Sequence, residues 1–336
     1  MNIISLLQKV MAGNDLSREE AAASMRILMS GEATPAQVGA WLIALRMKGE
    51  TTEEITGCAE VMREFATPIV CNRSPLVDTC GTGGDHSGTF NISTTAAFVV
   101  AGAGLAVAKH GNRSATSKCG SADVLEHLGV NIEASPKQVG QCIDEVGIGF
   151  LFARSLHSAM KHVGPVRAEL KVRTVFNLLG PLTNPAGAKS QVMGVFDGSL
   201  REDLAHVLLA LGSEHVFVVA GDDGLDEVTL TGASQVAEGK EGAVKSYTIT
   251  PEEFGLERCT TDALKGGDAA QNAEILCAVL DGAPGPCRDI VVLNAALAIV
   301  AGGVASTIAD GVTAAQKSID SSAARDCLTE LVKASQ

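Results

Sequence analysis

Four short segments carry side chains that can do chemistry together. The first is Asp78-Thr79-Cys80-Gly81-Thr82-Gly83-Gly84-Asp85, set between a strand-like apolar run and a helix-like one. Glycines this dense let a backbone approach a ligand and aim its amides at an anion. Thr89-Phe90-Asn91-Ile92-Ser93-Thr94-Thr95 follows, placing amides and hydroxyls at the start of a helix, the end that suits phosphate. No Gly-Lys-Ser/Thr follows, so this is not a P-loop, and the spacing is not that of a dinucleotide fold. Taken alone, the loop is also readable as a tight strand-to-helix turn.

The second segment, Lys109-His110-Gly111-Asn112-Arg113-Ser114, stands at the C-terminal end of a strand, where open α/β sheets bind ligands. Hydroxyls continue through Thr116 and Ser117, and Gly120-Ser121 opens a helix. Two anion-suited loops after successive strands favour a ligand site over a solvated polar loop. The third segment is Asp226-Glu227, whose adjacent carboxylates repel each other and gain from a divalent cation such as Mg²⁺. A solvated acidic turn explains the pair equally well. The fourth is Arg167, a planar fork suited to a carboxylate, followed by Arg173-Thr174-Val175-Phe176-Asn177. A surface salt bridge is the plainer reading of Arg167, and a core histidine the plainer reading of His157.

Elements that would position these groups are legible in outline. Residues 1–67 read as four short helices: Ser17/Glu20 and Thr51/Glu54 form capping boxes, Pro35 opens a helix, and Gly13, Gly31 and Gly49 close helices. Beyond Thr67-Pro68, strands alternate with helices, at 76–78, 105–108, 148–152, 191–196 and 215–220. That alternation implies a mostly parallel sheet covered on both faces. Residues 234–250 read as a local hairpin, and 267–333 as helices. His157–Val163 and Gly164–Asn177 read as two helices folding back on the N-terminal bundle. The expected organisation is a helical domain of 1–67 with a contribution from 155–185, and an α/β domain of 68–154 and 186–336.

Composition excludes other classes. Net charge is −13 with no Lys/Arg run, which disfavours nucleic acid and anionic membranes as partners. The longest apolar run, Ala96–Ala108, is short for a membrane span. Nine scattered cysteines with no CxxC pair argue for reduced thiols rather than a disulfide framework or zinc cluster, and the N-terminus has no signal-peptide pattern. A cytoplasmic protein is expected.

Together, GTGGD at 81–85, NIST at 91–94, KHGNRS at 109–114, GSADVLEHLG at 120–129, VRAELKVRTVFNLLGPLTNP at 166–185 and LDEVT at 225–229 closely resemble the anthranilate phosphoribosyltransferase family, in order and spacing and over essentially the whole chain. The resemblance implies dimerisation through the helical part. It implies that Gly81, Gly84, Asp85, Thr89, Asn91, Ile92, Ser93, Thr94, Lys109, His110, Gly111, Asn112, Arg113, Ser114, Ala115, Thr116, Ser117 and Ser121 hold phosphoribosyl pyrophosphate. Ser93, Asp226 and Glu227 would hold Mg²⁺. Gly81, Asn112 and Arg167 would hold anthranilate, with His110 and His157 along its path, and Lys109 and Arg167 would serve catalysis. Cys119 departs from the family, where small hydroxyl residues are frequent. The alternatives are a pyrimidine-nucleoside phosphorylase and a nucleic-acid-binding relative of the same fold. The first would need no carboxylate clamp, and the second would need a basic surface.

Overall fold

The computed structural model describes residues 2–114 and 118–336. Local chemistry sets the first helices. α1 (Ile3–Met11) is capped by Asn2, α2 (Arg18–Ser30) by the reciprocal Ser17/Glu20 box, and Gly31 closes α2 with a φ of 80°. α3 (Pro35–Lys48) starts with a Thr34/Gln37 box and Pro35, and α4 (Thr52–Glu64) with a Thr51/Glu54 box. Glu54 does more than cap: fully buried, it accepts from the Leu16 amide at 2.9 Å and pairs with Lys48 at 2.9 Å. A Cβ on Gly57 would stand 2.2 Å from the Arg18 carbonyl oxygen, so glycine there lets α2 and α4 cross closely.

The rest of the chain alternates. β1 (Leu76–Gly81), α5 (Ile92–Gly102), β2 (Ala106–Gly111), α6 (Ser121–His127), α7 (Pro136–Val146) and β3 (Ile148–Phe152) come first. α8 (Ala153–Leu156), a 3₁₀ turn at Ser158–His162, α9 (Gly164–Leu170) and α10 (Phe176–Leu179) interrupt the alternation. β4 (Ser190–Gly194), α11 (Arg201–Ala210), β5 (His215–Gly221), β6 (Ser234–Lys240) and β7 (Ala243–Ile249) follow. α12 (Ala269–Leu280), α13 (Pro286–Ala301), α14 (Ile308–Asp320) and α15 (Ala323–Ala334) end the chain.

The sheet has seven strands in the order β3-β2-β1-β4-β5-β6-β7. β3 to β5 are parallel, and β6 and β7 add antiparallel to the edge. The expected hairpin is therefore not a local appendage. β5 is buried along its whole length, its faces packed into the two cores and its edge paired by β6, and most of the exposed residues fall on β7, the edge strand.

One apolar core lies between the sheet and α5, α13 and the C-terminal helices. A second runs from the bundle through Val163, Phe176 and Leu179 to Leu204 and Leu208 of α11 and on to Met193, Val216 and Val218 of the opposite sheet face. Residues 155–185 do pack on the bundle, but Gly164–Asn177 is not one helix. α9 stops at Leu170, where Lys171 takes a φ of 51°, and Arg46 of α3 donates to the Arg173 carbonyl. The β-branched run around Arg173 also disfavours helix. Among the described residues, no helix is long and apolar enough to cross a membrane.

Candidate active site

Strand order reverses around β1, with β2 on one side and β4 on the other, so the crevice at their C-terminal ends is the topological switch point. Three segments meet there: the glycine loop after β1, the start of α5, and the acidic loop after β5. A Cβ on Gly194 would lie 1.6 Å from the Asp226 carbonyl oxygen, and one on Gly81 2.7 Å from Asp226 Oδ2. Glycine at the ends of both β1 and β4 thus lets the acidic loop lie across the strand ends.

Asp226 Oδ2 accepts from the Gly83 amide at 2.8 Å, and Glu227 Oε1 from the Ser93 amide at 3.1 Å. Burial, then the charge of Asp85, pushes the Asp226 carboxyl above the usual carboxylate range. Burial, then the charge of Asp226, does the same to Glu227, with Lys109 offsetting it in part. Asp85 Oδ2 is buried without a hydrogen-bond partner. Crowded carboxyl groups of this kind repel one another when ionised, and a proton or a cation relieves the repulsion. The all-oxygen donor set suits Mg²⁺, which needs few protein carboxylates because water and substrate phosphate complete its shell. Among the described residues, no group of three or more acids, histidines or cysteines is arranged to hold a metal ion by itself.

The acidic loop is fastened from behind. Asn294 of α13 accepts from the Val228 amide and donates to the Val228 carbonyl, each at 2.9 Å, and also donates to Ile290. Asp223 accepts from the Leu225 amide at 3.1 Å and from the Thr229 and Thr231 hydroxyls at 2.7 and 2.6 Å. Asp223 therefore closes the loop rather than facing a ligand.

Lys109, His110 and Gly111 are the last residues of β2 itself. Lys109 is buried and donates to the carbonyls of Thr79 and His110. Beneath it, Asp78 accepts from the His110 amide at 3.1 Å and from Asn184 at 2.8 Å, tying β1, β2 and the 182–185 turn together. Ser121 Oγ bonds both the amide and the carbonyl of Asn112 at 3.2 Å, and Asp123 accepts from the Ser114 and Gly120 amides. The Arg113 guanidinium is paired with Asp123 and Glu126, so of that residue it is the backbone that belongs to the loop. Ala115, Thr116 and Ser117 lie outside the described residues. At the α5 start, Thr94 and Ile92 are core residues. Asn91 is gripped by Asn272 at 2.8 Å and by the Cys119 carbonyl at 3.3 Å, while the Cys119 thiol lies 3.5 Å from Asn91 Oδ1. Thr89 bridges to Lys265.

The 155–185 segment reaches this crevice at two points. His157 packs against His110 with ring centroids 5.3 Å apart and planes tilted by 50°, and both rings are buried. Burial holds His157 down at about 4; burial, then the charges of His157 and Lys109, holds His110 at about 3. The Arg173 guanidinium meets Gly84. Arg167 lies 5.0 Å over the Phe176 ring, is lowered by burial, and forms no salt bridge among the described residues.

Residues 4–66 match the Glycosyl transferase family, helical bundle domain, and 73–325 the Glycosyl transferase family, a/b domain. The chain is 56% identical to the anthranilate phosphoribosyltransferase of Symbiobacterium thermophilum and 55% to that of Moorella thermoacetica, covering 97% of this chain and 96% of each relative. It belongs to the anthranilate phosphoribosyltransferase family. The crystal structure of the Thermus thermophilus enzyme superposes with a TM-score of 0.94 at 47% identity, covering 98% of this chain and 99% of that one. The Saccharomyces cerevisiae enzyme in complex with PRPP and Mg superposes with a TM-score of 0.90 at 28% identity, covering 99% of this chain and 97% of that one.

Within this family framework, sequence reasoning missed the supports Asn294, Asp223, Asn272 and Gly194, and it singled out the segment of Arg173 without giving that residue its contact with Gly84. The first three are single polar residues whose partners lie elsewhere in the chain or on a turn. Only the unusual Asn294 in the apolar run from Ile290 to Ala301 offered a signal.

Proposed function

We propose that this chain transfers the phosphoribosyl group of phosphoribosyl pyrophosphate to the amine of anthranilate, releasing pyrophosphate, as a step of tryptophan biosynthesis. The yeast relative solved with PRPP and Mg supports the donor and the cation, and its complex with 4-fluoroanthranilate supports the acceptor. The observation that carries the reading is Arg167: a half-buried guanidinium 5.0 Å over the Phe176 ring, with no carboxylate partner among the described residues, in the segment that returns to the crevice.

In this reading Gly81, Gly84 and Asp85 of the glycine loop and the start of α5, through Asn91 and Ser93, hold the phosphates, with Thr89, Lys109, Asn112 and Ser121 closing round them. Ser93, Asp226 and Glu227 would hold Mg²⁺, which when bound supplies charge neutralisation for the departing pyrophosphate. Lys109 adds a fixed positive charge from beneath, worth most in a buried site. Arg167 clamps the anthranilate carboxylate, with Gly81 and Asn112 beside it, and points the amine at the ribose carbon. Orienting two reactants in this way can remove roughly 7–11 kcal/mol of barrier. His110 and His157 stay uncharged at neutral pH, so they wall the acceptor's path without trapping an acid as an ion pair. The aromatic amine needs no strong base, because its proton can leave after the bond forms.

The helical unit, residues 1–67 with 155–185, would carry a homodimer interface. Ile4, Met11 and Met47 stand exposed at 48%, 69% and 82% on α1 and α3, in support of this. Cytoplasmic placement follows from the pathway.

The test is loss of anthranilate fluorescence with phosphoribosyl pyrophosphate, with and without Mg²⁺. Metal-dependent consumption is expected. Arg167→Ala should raise the anthranilate KM at least about tenfold, the loss of a charged hydrogen-bond pair, and leave the donor KM nearly unchanged. Equal effects on both would remove Arg167 from the acceptor site.

A further inference from the structure

A bound pyrophosphate would bring several negative charges to a loop already lined by Asp85, Asp226 and Glu227. The cations near it are unequally available. Arg113 is committed to Asp123 and Glu126, and Lys109 lies beneath the strands on the Thr79 and His110 carbonyls. Arg173 is the cation that touches the glycine loop itself. Its guanidinium donates to the Gly84 carbonyl and stacks 3.6 Å from the centre of the Phe196 ring. Asp197, next to that ring, is lowered chiefly by Ser199, with Arg173 contributing.

Phe196 is itself part of the fastening. Its amide donates to Thr82 Oγ1 at 3.1 Å, and the Thr82 amide donates to the Gly194 carbonyl at 2.9 Å. The glycine loop is thus held at Thr82 by the β4 end, at Gly83 by Asp226, and at Gly84 by Arg173. Only the last hold comes from the segment packed on the helical bundle, and Arg46 of α3 grips the backbone carbonyl of Arg173. With its carbonyl drawn outward, Gly84 stays in the left-handed conformation (φ 81°) that a loop presenting successive amides needs.

We propose that Arg173 is a positioning residue for phosphoribosyl pyrophosphate: stacked on Phe196, it holds the Gly84 carbonyl, fixes the glycine loop in its anion-binding form, and ties that loop to the helical bundle. This rests on the reading of the glycine loop as the phosphoribosyl pyrophosphate site. Arginine serves here where lysine would not, because a planar guanidinium can stack on a ring and donate in its own plane at once.

The experiment combines steady-state kinetics with amide hydrogen exchange on the full-length enzyme, for wild type, Arg173→Gln, Arg173→Lys and Phe196→Leu. In Arg173→Gln the KM for phosphoribosyl pyrophosphate should rise about tenfold to a hundredfold, as for a lost charge-assisted hydrogen bond, while the anthranilate KM stays within about twofold. Amides 82–86 of the ligand-free variant should exchange faster than in wild type. Arg173→Lys should recover only part of the donor KM, and Phe196→Leu should move it in the same direction by less. If the donor KM and the loop exchange are unchanged in all three variants, the proposal is overturned. It is overturned as well if both KM values rise together with a general loss of protection, since that marks a merely structural role. Failure of the underlying reading has its own signature: wild-type amides 81–89 that gain no protection from phosphoribosyl pyrophosphate with Mg²⁺.

Discussion

Asp226 and Glu227 stand half-buried beside each other and near Asp85, and partial desolvation, with the neighbouring charge, raises the proton affinity of each above its ordinary value. Such groups oppose folding when ionised and gain only when a cation joins them. The isosteric double variant Asp226→Asn with Glu227→Gln should therefore unfold at the same temperature as wild type or higher in metal-free buffer. The same variant should lose Mn²⁺ binding by electron paramagnetic resonance, along with metal-dependent turnover. Unaltered Mn²⁺ binding would remove the pair from the metal site. His110 and His157 act in the opposite sense. Both titrate near 6.5 when unfolded but at about 3 and about 4 when folded. Their contribution to stability is full above pH 6.5 and is lost as pH falls towards 4, because the unfolded chain takes up protons that the folded one refuses. His157→Asn should flatten that loss: its melting temperature relative to wild type should improve from pH 7.5 to pH 5. A constant difference would mean that His157 is not held neutral.

At the scale of elements, α13 is buried along its length from Ile290 to Ala301, and Asn294 is the polar break in it. That amide completes both peptide groups of Val228, one residue beyond the carboxylate pair. Asn294→Leu keeps the volume but strands a buried donor and acceptor, so it should cost about 2–4 kcal/mol in chemical denaturation. The variant should also raise the Mg²⁺ concentration needed for half-maximal rate. A stability loss with an unshifted metal requirement would confine Asn294 to the core. This contrast explains what was legible in the sequence. The Ser17/Glu20 and Thr51/Glu54 caps and the glycine-rich turn act over a few residues, so their chemistry is written side by side. The Asn294 clamp joins residues 66 apart, and the end of α9 depends on Lys171 and on Arg46 from another helix. Neither leaves a local pattern. The hairpin was recognised from its alternation, but its place on the sheet edge depends on β5, which nothing within 234–250 specifies. Of the candidate site, the carboxylate pair and the two polar loops that the structure gathers at one crevice were readable. The salt bridges that occupy Arg113 were not, because Asp123 and Glu126 become its neighbours only once α6 forms.

For the whole molecule, the proposed dimer makes the exposed face of α1 and α3 a shared surface. Met11→Glu with Met47→Glu should convert a dimer to monomers in sedimentation velocity while leaving the circular dichroism spectrum intact, since both side chains point to solvent in the single chain. A dimer that survives both charges would place the interface elsewhere.

The second apolar core has an implication for biosynthesis. It draws on α1 to α4, then on Val163, Phe176 and Leu182, then on Leu204, Leu208, Val216 and Val218. The N-terminal helices therefore emerge from the ribosome long before the rest of their core has been translated. Until about residue 220 is clear of the exit tunnel, the bundle has apolar faces with nothing to cover them, the condition in which nascent chains aggregate. Vectorial synthesis and this fold run out of step, and a fragment ending near residue 70 should behave as a collapsed, chaperone-dependent chain rather than a finished bundle.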